Sequence, residues 1–157
     1  MDLEVEIRKA ELREASLLSK IALDAKSFWN YPEEFMKLWK DDLTITSDFI
    51  AANLVRCALV ESTVVGFYAL IKDDSHFELD HLWILPNYIG EGVDSKLFND
   101  VVTFISNQGG RVLKILSDPN AEKFYLKKGA QRIKLVSSKP VGRKLPLLEL
   151  NITKTAV

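Results

Sequence analysis

Cysteine, histidine and glycine are all scarce in this chain of 157 residues, which holds one cysteine, two histidines and seven glycines. A single cysteine, Cys57, excludes an internal disulfide. It sits in the apolar run CALV and reads as a small buried hydrophobe. With His76 and His81 the only histidines, no metal site of cysteines and histidines is expected. A strong charge of either sign is lacking too. The net charge of -1 offers no bulk attraction to nucleic acid or to an acidic membrane surface. No uncharged apolar run approaches the length of a membrane span. The N-terminal MDLEVEIRKA alternates charged and apolar residues, unlike a signal peptide. These absences lead us to expect a cytoplasmic protein with neither a nucleic-acid nor a membrane partner.

What is present is the composition of a soluble globular protein, 47% hydrophobic and 27% charged. The length suits one domain over residues 1–157 with a real core. Leu3, Val5 and Ile7 alternate with charged residues, as a first strand does. Leu18, Ile21, Ala22, Ala25 and Phe28 recur at helical spacing to about residue 30. Pro32 suits the first turn of a second helix, PEEFMKLWK. Thr46 or Ser47 is placed to cap a third, SDFIAAN. The β-rich runs VRCALVE and VVGFYALIK, with only Ser62 and Thr63 between them, predict a tight hairpin, and FELDHLWIL predicts another strand. Val93, Leu97, Phe98, Val101, Val102 and Ile105 form the apolar stripe of a helix that Gly109 and Gly110 end. VLKIL, a short helix AEKFYLKK stopping at Gly129, and the strands RIKLV and LLELNI complete the chain. The fold class is α/β, with a mixed central sheet.

Between FELDHLWIL and the fourth helix lies LPNYIGEGVDSKLF, residues 85–98. A strand that ends in a glycine turn and runs into a helix exposes backbone N–H groups at the helix start, where the dipole favours anions. GEGVDS lacks the GK[ST] of a P-loop and the third glycine of a dinucleotide fingerprint. Taken alone, the motif is weak and reads sooner as a plain strand-to-helix turn than as a phosphate loop.

With its surroundings, FELDHLWILPNYIGEGVDSKLF resembles the acyl-CoA-binding segment of the GNAT superfamily of CoA-dependent N-acetyltransferases. There, an E-L-x-x-L-W-V-x-P strand precedes a pyrophosphate loop of the form R/Q-x-x-G-x-G/A. Downstream, SDPNAEKFYLKKGAQRI resembles the family's N-x-x-A/x-x-F-Y-x-x-x-G-F/A segment through Asn120, Phe124, Tyr125 and Gly129. The element order fits along nearly the whole chain. The resemblance implies a sheet of about seven strands flanked by helices, with a splayed strand pair at the cofactor site. It also implies acetyl-CoA as co-substrate, bound without a metal. Main-chain groups near Leu82 and Ile84 would bond its pantetheine arm. The diphosphate would sit on the amides of Ile89, Gly90, Glu91, Gly92, Val93 and Asp94, and Asn120 would bond the arm.

The same resemblance implies the chemistry. Glu78 takes the register where some members carry a catalytic glutamate, and is the candidate base; facing solvent or a lysine is its plainer reading. Asp80 could support or replace it, and His81 points to the opposite face. Tyr125 is the candidate acid for the departing thiolate; otherwise it is a core aromatic beside Phe124. Two residues depart from the family pattern. Ile89 stands where a basic or amide side chain is usual, and Asp94 replaces a small residue. A carboxylate about 6 Å from a phosphate charge costs roughly 1–3 kcal/mol at an effective dielectric of 20–80, or about 5- to 100-fold in affinity. Asp94 is equally a helix-start acid that favours the dipole.

The acceptor side would be shaped by KSFWNYPEEFMKLW, with Phe28, Trp29, Tyr31, Phe35 and Trp39, and by SSKPVGRKLP, with Arg143 and Lys144. Core packing and a solvated turn are their plainer readings. The function expected is acetyl transfer from acetyl-CoA to a primary amine of a small molecule, amino acid or peptide, by direct attack in a ternary complex. The alternative is a catalytically weak module that binds CoA or a protein partner. Members of the family are commonly dimers, and no residue here shows whether this chain forms a homodimer.

Overall fold

The two-residue connection between the second and third strands shows how local chemistry sets register. The computed structural model describes residues 3–152. Seven strands form one sheet in the order β1-β2-β3-β4-β5-β7-β6. They are β1 Glu6–Lys9, β2 Leu54–Val60, β3 Thr63–Lys72, β4 Phe77–Ile84, β5 Val112–Leu116, β6 Gln131–Ser137 and β7 Lys144–Asn151. The hairpin turn holds Glu61 and Ser62, both with positive φ (50° and 67°), and Val60 pairs with Thr63. A two-residue hairpin turn needs left-handed residues to match the strand twist. The turn therefore sits one residue earlier than the apolar runs suggested, and Thr63 opens β3.

The chain falls into two compact units: Met1–Leu70 with His81–Asp100, and Ile71–Asp80 with Val101–Val157. In the first, β1 pairs with β2 and β2 with β3, all antiparallel. Helix α1, Ala15–Ser27, buries Leu18, Ile21, Ala22 and Ala25 along one stripe. It ends sooner than its periodicity implied, and Phe28 and Trp29 lie exposed beyond it. Helix α2 is Glu33–Leu38, just after Pro32. Helix α3 is Ser47–Ala52, capped by the Thr46 hydroxyl, which accepts from Phe49 N–H at 3.0 Å. The core gathers Leu18, Ile21, Trp39, Ile50, Val55 and Phe67. A Cβ on Gly66 would stand 2.7 Å from the Trp83 carbonyl oxygen, so β3 tolerates only glycine where it meets β4.

Two ion pairs tie this unit together. Asp100 accepts from Arg56 Nε at 2.8 Å and from the Tyr68 hydroxyl at 2.6 Å. Burial and then the bond to Asp100 push the Tyr68 phenol well above its usual range. Near β1, both terminal guanidinium nitrogens of Arg8 donate to Glu14, each at 2.9 Å. Those bonds hold the Glu14 carboxyl below its ordinary value. A depressed carboxylate contributes stability that is present above its unfolded pKa and lost as pH falls through its folded one. Arg8→Met is therefore expected to unfold at lower denaturant than wild type at neutral pH. The gap should close as pH drops below the ordinary carboxylate range, which denaturation at a series of pH values would measure.

In the second unit the start of β4 pairs in parallel with β5, Phe77 to Leu79 against Leu113 to Ile115. Parallel neighbours need a crossover, and helix α4, Val93–Asn107, lies between them in sequence. Gly109, at φ 76°, follows its end. Strand β7 lies antiparallel between β5 and β6. It begins at Lys144, earlier than LLELNI suggested. Helix α5, Glu122–Lys127, follows a short 3-10 turn and stops at Gly129, φ 101°.

Candidate functional site

The last ladder pair between β4 and β5 is Leu79 with Ile115, yet β4 continues to Ile84. Among the described residues, the main chain of Asp80, His81, Leu82, Trp83 and Ile84 thus runs past its parallel neighbour's register. Leu82 and Ile84 are half-buried. Beyond them the chain makes a 3-10 turn over Pro86–Tyr88 and meets the glycine loop. Gly90 and Gly92 have φ of 83° and 85°, and a Cβ on either would meet nothing within 4 Å. Backbone conformation, not crowding, therefore selects glycine here. Ile89 N–H donates to Pro86 O at 3.2 Å and Glu91 N–H to Tyr88 O at 3.3 Å. Helix geometry leaves the first N–H groups of α4, from Val93 on, without intrahelical acceptors.

Asp94 is half-buried, and its Oδ1 accepts from Ser95 N–H at 2.8 Å. Its carboxylate thus engages its own helix start, the dipole-favouring arrangement. Glu91 and Ile89 are exposed, while Val93 is fully buried and anchors α4. His81 is buried with its ring near Phe49 and Phe67. Its Nδ1 accepts from the Trp83 indole at 2.8 Å, as befits a hydrogen-bonded core histidine. Burial pushes the Cys57 thiol up to about 12, which leaves it a packing residue.

The aromatic stretch divides. Phe28 and Trp29 are exposed, while Tyr31 and Phe35 pack edge-on against buried Trp39, with ring centroids 4.8 and 5.6 Å away. Lys26, only 8% exposed, places its Nζ 4.5 Å from the Trp39 ring centre, 5.0 Å from Tyr31 and 6.0 Å from Trp83. The sequence reading passed over Lys26. Its one signal was a lysine directly after Leu18, Ile21, Ala22 and Ala25, at the edge of their stripe.

In the second unit Glu78 is exposed on β4, opposite Lys114, with Oε1 3.1 Å from His76 Nε2. Asp80 is exposed as well. Tyr125 lies on α5, 6% exposed, its ring edge-on to Phe124 at 5.2 Å. Asn120 is exposed in the preceding turn. Asp118 is the cap there, its Oδ1 accepting from Asn120 N–H at 2.8 Å. Asp118 also accepts from Arg143 Nη2 at 3.5 Å, so Arg143 is half-buried, while Lys144 is exposed at the start of β7.

Residues 32–138, more than half of the chain, match the family model described as an acetyltransferase (GNAT) domain. Among curated proteins none matches in sequence. The fold is similar to that of the PaiA N-acetyltransferase from Thermoplasma acidophilum, solved in complex with coenzyme A. That match has 19% identity and a TM-score of 0.75, covering 95% of this chain and 99% of that one. It is also similar to a GCN5-related N-acetyltransferase from Rhodopseudomonas palustris, at 20% identity and a TM-score of 0.78, covering 96% and 98%. A third is the ribosomal-protein-S18-alanine N-acetyltransferase from Escherichia coli, at 13% identity and a TM-score of 0.72, covering 98% and 97%. Among the described residues, no helix is long and apolar enough to cross a membrane.

Proposed function

Because the chain belongs to the GNAT acetyltransferase family, we propose that it transfers an acetyl group from acetyl-CoA to a primary amine of a small molecule, amino acid or peptide. One observation carries this reading: β4 outruns its pairing with β5 and delivers two positive-φ glycines to the start of a fifteen-residue helix. The N–H groups there suit the diphosphate. Main-chain groups near Leu82 and Ile84 suit the pantetheine amides, with Asn120 as a further partner for the arm.

The amine nitrogen attacks the thioester carbonyl carbon directly. Its proton passes to the Glu78 carboxylate, directly or through water. A main-chain N–H near Ile84 polarises the carbonyl oxygen as it gains charge. The C–S bond then breaks, and the thiolate takes a proton from the Tyr125 hydroxyl. Buried Cys57 carries no acyl group in this scheme. Thiol release from acetyl-CoA, followed across a panel of amines, amino acids and peptide N-termini, tests it. Release with at least one class is expected.

A second reading, a CoA-binding module without turnover, is favoured by Asp94, whose carboxylate sits in the first turn of α4. Acetyl-CoA binding with no release across the panel would select it. Under either reading, Asp94→Gly is expected to tighten CoA binding about 5- to 100-fold by calorimetry. Unchanged affinity would show that the carboxylate, turned to Ser95 N–H, does not oppose the phosphates.

A further inference from the structure

We propose that the turn between β3 and β4 carries a divalent-cation site of the zinc class, built from His76 Nε2 and the carboxylates of Asp73 and Glu78. Nothing in the acetyl-transfer scheme requires it. The three donors come from six consecutive positions and lie within 4.8 Å of one another. Nε2 stands 3.1 Å from Glu78 Oε1 and 3.7 Å from Asp73 Oδ2. An ion bound tetrahedrally at about 2.0–2.1 Å needs donors roughly 3.3 Å apart, and those two separations bracket that figure. Two carboxylates are thus turned toward the same nitrogen.

The backbone holds each donor in place. Asp73 N–H donates to His76 O at 2.9 Å, closing the turn, and Glu78 sits in the β4–β5 ladder opposite Lys114. Asp73 Oδ1 accepts from Asp74 N–H at 2.7 Å, which leaves Oδ2 for His76. The His76 side chain is only 11% exposed, so its ring has little freedom to turn. Ser75 Oγ lies 3.2 Å from Nδ1, the kind of outer partner that fixes an imidazole with Nε2 toward an ion. One imidazole with two carboxylates suits zinc and its neighbours. Calcium would ask for six or more oxygens. Two carboxylates also balance a doubly charged ion, leaving Lys114 as the neighbouring cation that opposes it.

This site differs from the cysteine–histidine kind that the composition argues against, since most of its donors are acids. An ion there would engage the Glu78 carboxylate. Because the readout is metal binding, the test is independent of the role proposed for Glu78. The chelator-treated full chain is titrated with zinc chloride in a calorimeter, and with cobalt(II) while the visible spectrum is followed. One equivalent is expected to bind at about pH 7.5, and binding is expected to weaken as pH falls because protons compete with the ion for its donors. His76→Ala and Asp73→Asn should each weaken binding by at least about tenfold with circular dichroism unchanged. No binding to the wild-type chain at about 100 μM zinc, or equal binding by both variants, would overturn the proposal.

Discussion

Tyr125→Phe is expected to lower kcat about 100-fold while the affinity for acetyl-CoA changes by less than about threefold. The substitution removes one hydroxyl and keeps the ring, so the edge-on contact with Phe124 at 5.2 Å survives. The ring is buried, at 6% exposure, and the variant keeps it in place. If Tyr125 only packs, transfer continues at the wild-type rate. If it protonates the departing thiolate, the loss falls within the roughly 10²–10⁴-fold that general acids supply, at the low end because a thiolate leaves readily. The loss should appear in kcat and in kcat/KM alike, the signature of an interaction made in the transition state. Steady-state thiol release beside calorimetry on the same variant separates the two cases, and unchanged turnover removes Tyr125 from the mechanism.

Gly92→Val is expected to weaken acetyl-CoA about 10- to 100-fold and to leave the fold intact. At φ 85° a β-branched residue is badly strained, at roughly 1–2 kcal/mol for the left-handed region alone. Nothing surrounds the new Cβ, so the loop can relax by rotating its peptides. That rotation turns the N–H groups at the start of α4 away from a bound phosphate. Binding must then restore the strained geometry, and the valine side chain enters space the cofactor would use. Gly109→Val is the control. Gly109 also has positive φ, 76°, with nothing near its Cβ, but it follows the end of α4. It should cost similar strain with no loss of affinity. Equal losses in both variants would mean that general destabilisation, not the loop, weakens binding.

Much of the fold was legible because its causes are local. The stripe of Val93, Leu97, Phe98, Val101 and Ile105 specified α4, and all five are buried. Gly90 and Gly92 announced a turn because few other residues accept their φ. The mixed α/β class and the seven-stranded sheet follow from such signals and from the GNAT resemblance. What stayed hidden depends on distance along the chain or on unusual residues. Arg56 and Asp100 are 44 positions apart, and no pattern joins them. Glu61 gives no hint of positive φ, so the apolar runs place the hairpin turn one residue late. For Lys26, only the folded aromatics reveal its place over the Trp39 ring. At the candidate site, the glycine loop was readable, but the hydrogen bond that Asp94 accepts from Ser95 N–H was one of two open choices. Asp73, His76 and Glu78 lie close together in the sequence. Only the folded turn shows that their donor atoms converge.

The measurement closest to the central claim is a calorimetric titration of acetyl-CoA into the 157-residue chain. A loop built for the diphosphate predicts saturable binding at one site per chain, with a dissociation constant of about 1–100 μM. No heat of binding up to about 1 mM cofactor would contradict it.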